Sequence, residues 1–143
     1  MWLPAGIHSL IRVNRARRQE MPKVSKESAG QIDDFGVAED RHDDLDGYTV
    51  NFVTIRQTHD LAPMLRGLPG GNCPCPHWGY LVTGRMIVRY DDHEEVIEAG
   101  DAFYIPPGHA PEAEAGTEIV QFSPAKQLAE VVDAMKASIA GTA

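Results

Sequence analysis

"HWGYLVTGRMIVRY", residues 77–90, is the stretch that decides the fold. Apolar, aromatic and β-branched residues flank Gly84-Arg85, which reads as two short strands joined by a tight turn. The pattern continues in both directions. Upstream, "YTVNFVTIR" (48–56) alternates and is a strand. Between them, "HDLAPMLRGLPGGN" (59–72) is a loop punctuated by Pro63, Pro69 and Gly70-Gly71. Downstream, "EEVIEAGDAFYIPPGHAP" (94–111) gives a strand, a turn at Gly100-Asp101, a second strand and a stop at Pro106-Pro107-Gly108. One more strand follows in "GTEIVQFS" (116–123). Short strands at about ten-residue spacing predict an all-β sandwich or barrel.

The flanks differ from this middle. Leu128, Val131, Val132, Met135 and Ile139 recur at helical spacing, with Ser123 as a suitable N-cap, Pro124 at the first helical position and Gly141 at the end. The division is therefore an N-terminal extension or flexible arm (1–47), a β-barrel (48–123) and a C-terminal helix (124–143). The helix's apolar stripe is expected to pack on its own barrel or on a second copy of the chain. Residues 23–47 are polar, acidic and poorly periodic. Residues 1–20 read as a functionally silent upstream extension ahead of Met21, since charge and pattern both change there.

Charge narrows the partners. Residues 1–20 carry a balance of +3 and the remaining 123 residues one of −11. A body this acidic repels phosphate backbones, so nucleic acid is not an expected partner. No apolar run approaches the ~20 residues of a membrane span. The first ten residues are too interrupted to make a signal peptide, and only two cysteines occur in 143 residues. Both features point to a reducing cytoplasm.

Both of those cysteines lie in "GGNCPCPHWGY" (70–80), beside His77 and Trp78. Three explanations compete: a metal site, a redox pair, or a proline-stiffened turn with buried thiols. No phosphate loop, dinucleotide fingerprint or nucleophile with an adjacent base stands out elsewhere.

"PHWGYLVTGRMIV" followed by "EAGDAFYIPPGHAP" resembles the two motifs of the cupin superfamily, written G-x5-H-x-H-x3,4-E-x6-G and G-x5-P-x-G-x2-H-x3-N. The resemblance covers roughly residues 48–123 and is closest to small single-domain cupins carrying "CPHWGY" and "PPGH". It implies an antiparallel jelly-roll β-barrel, a divalent metal and a homodimer. Gly100, Pro106 and Gly108 match the second motif, but Pro111 stands at its histidine, and a histidine occurs two residues earlier at His109. Counting back from Gly84, His77 takes the place of the first motif's glutamate, Cys73 that of its second histidine and Gly71 that of its first.

Strand geometry gives the substitution a rationale, because side chains two apart share a face. Cys73, Cys75 and His77 share one parity, and Pro74 and Pro76 favour extended backbone at the cysteines before them. His109 shares a face with residue 111. A Cys73, Cys75, His77, His109 cluster follows, and thiolate with imidazole is a zinc set first, with nickel or iron as alternatives.

Each residue also has a plainer reading. The cysteines are small buried hydrophobes, His77 a hydrogen-bonded strand histidine, and His109 a turn cap. A Cys73–Cys75 disulfide would bridge Cα atoms ~6.5 Å apart in extended chain, at the outer edge of what the bond allows. Cysteine nucleophile chemistry is not decided by the spacing.

Of Phe103 and Tyr104, one should face the cavity, with Glu112 and Glu114 at its rim. Trp78 and Tyr80 should point outward. His8, His42, His59 and His93 read as surface residues. The leading reading is a divalent-metal-binding cupin that binds or acts on a small polar metabolite. A non-catalytic binding or sensing barrel, with or without a structural metal, is the alternative.

Overall fold

Alternation along the chain becomes two antiparallel sheets in the structure, a computed structural model that describes residues 21–141. The strands are β1 (Gln31–Asp34), β2 (Ala38–Leu45), β3 (Tyr48–Ile55), β4 (His59–Asp60), β5 (His77–Thr83), β6 (Arg85–Arg89), β7 (Glu94–Glu98), β8 (Ala102–Ile105), β9 (Ala110–Ala113) and β10 (Glu118–Pro124), followed by helix α1 (Ala125–Ala140). One sheet has the order β1-β2-β3-β10-β5-β8 and the other β4-β9-β6-β7. They are two packed layers of a jelly roll rather than one closed ring of strands. Ile55, Leu81 and Ile119 from the first sheet meet Met86, Val88 and Ile97 from the second, all buried, so the core lies between the layers. Among the described residues no helix is long and apolar enough to cross a membrane.

The turn read at Gly84 is a backbone requirement. Gly84 has φ +86°, and a Cβ there would stand 2.3 Å from Thr117 Oγ1 and 2.5 Å from Thr117 Cα. Thr117 is fully buried and its hydroxyl accepts from the Arg85 N–H at 3.0 Å, so it cannot retreat cheaply.

Residues 31–45 depart from the expected arm, because β1 and β2 extend the larger sheet beyond β3. The sequence of β2, "AEDRHDDL", hides its own strand. Asp40, His42 and Asp44 alternate onto the face that lines a cavity, and Glu39 and Arg41 pair on the other. With polar residues on both faces, the hydrophobic period of two disappears. The reading of residues 1–20 as a silent extension lies outside the described residues.

The C-terminal helix forms as expected but starts later. Ser123 is the penultimate residue of β10, paired with Thr49 of β3, and it is not an N-cap. Leu128 and Val131 bury against Leu65, Cys73, Cys75 and Ala110, so the inner part of the stripe packs on its own chain.

Candidate metal centre

Two segments far apart in sequence are pinned together beside the cavity. The Cys73 N–H donates to the His109 carbonyl at 2.8 Å, and the Gly108 N–H donates to the Cys73 carbonyl at 2.8 Å. Gly108 reaches this position at φ +94°, a conformation most side chains disfavour. Cys73 and His109 thus sit side by side, although 35 positions separate them.

His77 opens β5 and faces inward, and only 7% of its surface is exposed. The sulfur of Cys73 lies 3.7 Å from His77 Nε2. Zinc–sulfur and zinc–nitrogen bonds of ~2.3 and ~2.0 Å subtend about 3.5 Å at a tetrahedral angle, so this pair is close to chelating separation. The His77 and His109 rings are edge-on with centroids 5.0 Å apart. One donor atom from each of Cys73, His77 and His109 lies within 4.8 Å of the others, and all three residues are buried.

The imidazoles are oriented from behind. His109 Nδ1 lies 2.8 Å from the Pro106 carbonyl, which can only accept, so Nδ1 carries the proton and Nε2 keeps its lone pair. His77 Nδ1 lies 2.6 Å from the Ser123 hydroxyl, leaving Nε2 toward Cys73. This is the arrangement that holds a histidine ready to ligate.

Burial sets the protonation states. It pushes His77 down to about 3, helped by His109 nearby, and lowers His109 as well. Both rings are neutral near pH 7. Burial raises the Cys73 thiol, only partly offset by the backbone of Cys75, so Cys73 is a thiol until a cation displaces its proton.

Cys75 is buried but does not join the three. Its sulfur faces the Pro76 carbonyl at 3.5 Å, within the apolar cluster of Leu65, Leu128 and Val131. Burial and the neighbouring Cys73 push its thiol up to about 12, and the Ser123 hydroxyl draws it partly back. Both cysteines are free. Parity alone placed 73, 75 and 77 together, but burial on one side of a strand does not fix where a sulfur points.

The three donors line a cavity of about 380 Å³ between the sheets. Pro111 and Ala113 follow His109 along this wall, as their shared parity requires. The structure does not bring Tyr104, Phe103 or Glu112 to it. Phe103 packs against the core, while Tyr104 lies 52% exposed on the outer face, tilted on Trp78 with ring centroids 4.9 Å apart. Glu112 turns away to pair with Arg89. Tyr80 is on the outer surface, as expected, and His93 is exposed too, 49% in its side chain. His42 and His59 are half-buried and line the cavity, and His8 lies outside the described residues.

No protein-family model matches the chain, and no curated protein gives a significant match. Solved structures do. An RmlC-like cupin from Shewanella frigidimarina superposes with TM-score 0.50 at 20% identity, over 74% of this chain and 93% of that one. This chain has the cupin fold. A structural-genomics protein of unknown function from Rhizobium leguminosarum is similar in structure (TM-score 0.54, 16% identity, 73% of this chain and 97% of that chain). The polyketide cyclase RemF from Streptomyces resistomycificus is also similar (TM-score 0.50, 14% identity, 73% and 80%). These likenesses carry the cupin architecture and no activity.

Proposed function

We propose that this cupin binds a divalent metal through Cys73, His77 and His109 and uses it to bind or act on a small polar metabolite. One observation carries the reading: three donors lie within 4.8 Å, with both imidazoles held by their far nitrogens. The set of one thiolate and two imidazoles favours zinc, with nickel and iron next. A bound cation there supplies Lewis acidity and an open coordination position. Cys75 lies outside the three, which supports an open site over a closed four-ligand structural one.

The protein's own groups do the rest. Pro106 and Ser123 keep the rings aimed, and the surrounding layers keep the donors away from bulk water. A non-catalytic binding or sensing barrel remains the alternative, and turnover of a chelating substrate separates the two.

The reading extends to a homodimer formed through the outer face of the larger sheet. Tyr48, Trp78, Tyr80, Tyr104 and Phe122 are each 42–52% exposed there, an apolar surface suited to a second copy. Two buried free thiols suit a cytoplasmic location.

Elemental analysis of tag-free protein, purified without chelator, tests the metal. Near-stoichiometric metal, lost in His77→Ala and Cys73→Ala but retained in Cys75→Ala, is the expected result. Metal-free protein after soaking with zinc, nickel and ferrous iron would overturn it.

A further inference from the structure

We propose that Asp40 and Asn51 form a second recognition site in the same cavity, which accepts hydrogen bonds from the hydroxyls of a small polyhydroxylated ligand. The inference rests on the metal reading above, because the ligand's other, chelating end is assigned to the Cys73, His77 and His109 group.

The pair is built by sheet register. Asn51 of β3 stands opposite His42 of β2, which places it diagonally beside Asp40 on the inward face. The Asn51 Nδ2 donates to both carboxylate oxygens of Asp40 at 3.0 Å. That contact fixes the amide, since only its nitrogen end can serve a carboxylate. The amide oxygen is then committed to the other side. Asn51 is 3% exposed and lines the cavity, and its Oδ1 has no hydrogen-bond partner among the described residues. A buried carbonyl left this way is costly unless a donor reaches it.

What the pair lacks defines the ligand. Asn51 Oδ1 accepts only, and an ionised Asp40 also accepts only, with lone pairs to spare beyond one amide. Burial raises the Asp40 carboxyl, which the Asn51 bond partly counters, so this wall disfavours further negative charge. The nearby basic side chains are already engaged: Asp33 pairs with His42 at 3.1 Å and Lys136 at 3.3 Å. Asp44 accepts from the Thr49 hydroxyl at 2.6 Å. Hydroxyl donors fit this end; a carboxylate or phosphate does not. Asn51 aligns with Gln121 of β10 and, through it, Gly79 of β5, so two strand spacings (about 10 Å) separate its backbone from the strand bearing His77. A ligand with a chelating head and a hydroxylated tail spans that gap.

The test compares D-gluconate with 2-hydroxyhexanoate, which share chain length and the chelating 2-hydroxycarboxylate but differ in the tail hydroxyls. Calorimetry and the side-chain amide resonances of Asn51 are read with zinc-loaded and metal-free protein. The expected result is about tenfold tighter binding of gluconate, the worth of one to two net hydrogen bonds, with the Asn51 amide shifted. In Asp40→Asn and in Asn51→Leu the preference falls to near one while zinc content is kept. Equal binding of the two probes, or a preference that survives both substitutions, overturns the proposal. If no zinc is taken up but gluconate still shifts the Asn51 amide, this site stands and the metal reading falls. If zinc binds and the amide stays silent at saturating gluconate, the metal reading stands and this site falls.

Discussion

His77 Nδ1 and Ser123 Oγ lie 2.6 Å apart across the β5–β10 pair, both side chains buried. The contact joins the strand that carries a metal donor to the strand that leads into the C-terminal helix. It also decides which nitrogen of His77 faces Cys73.

Removing that hydroxyl should loosen the site without deleting a donor. Ser123→Ala is predicted to weaken zinc affinity by about 10- to 100-fold, the usual cost of losing a partner behind a ligating histidine. Competition against a chromophoric chelator measures it. His77→Ala should lose binding outright, so equal losses in the two variants would argue that Ser123 acts through folding alone.

Metal uptake should release a proton from one residue. Both imidazoles are neutral near pH 7, whereas Cys73 still holds its proton. Zinc binding in weak buffer at pH 7 should therefore release about one proton per ion, and the same number in Cys75→Ala, whose lost thiol is not a donor. An indicator-dye titration reads both values.

Stability of the metal-free protein should plateau between two limits. His77 is held at about 3 against an ordinary 6.5, so as pH falls below 6.5 the unfolded chain takes a proton that the folded one refuses. Cys75 is held at about 12 against 9.0, so as pH rises above 9.0 the unfolded chain loses a proton that the folded one retains. Stability contributed by these groups is thus full between those ordinary values and falls on either side. Urea midpoints across pH 4–10 test the shape. His77→Ala should flatten the acid limb.

Gly84→Ala should destabilise by roughly 1–3 kcal/mol, because a methyl there both strains the backbone and strikes buried Thr117. Chemical denaturation measures the loss. Gly100→Ala shares the positive φ but meets nothing within 4 Å, so its loss should be the smaller.

Much of this architecture was legible because hydrophobic alternation is a local property. The strands around Gly84, those around Gly100 and the helix ending at Gly141 all carry it. Strand β2 was not legible, since its inward residues are Asp40, His42 and Asp44 rather than valines. The tetrapeptide strand β9 hid for a related reason: Pro111 in "APEA" demotes it as a strand candidate.

The candidate site was partly legible. Motif spacing and face parity brought out Cys73, His77 and His109. Parity could not separate Cys75 from them, because the direction of a sulfur depends on the side-chain rotamer and its packing. Ser123, Asp40 and Asn51 left no signal in the chain. Their roles arise from strand register, between neighbouring strands for Asp40 and Asn51 and across 46 positions for His77 and Ser123, and Ser123 has the local look of a helix cap. Strand alternation puts one of Phe103 and Tyr104 toward the cavity and position after His109 puts Glu112 at its rim, yet Phe103 packs in the core, Tyr104 lies on the outer face and Glu112 pairs with Arg89.

X-ray absorption at the zinc edge of reconstituted protein tests the central claim most directly. The account predicts one sulfur at about 2.3 Å and two imidazole nitrogens at about 2.0 Å, with a light-atom ligand completing four-coordination. The sulfur should persist in Cys75→Ala, whereas Cys73→Ala should hold no zinc at all. A shell with two sulfurs, or with none, would contradict it.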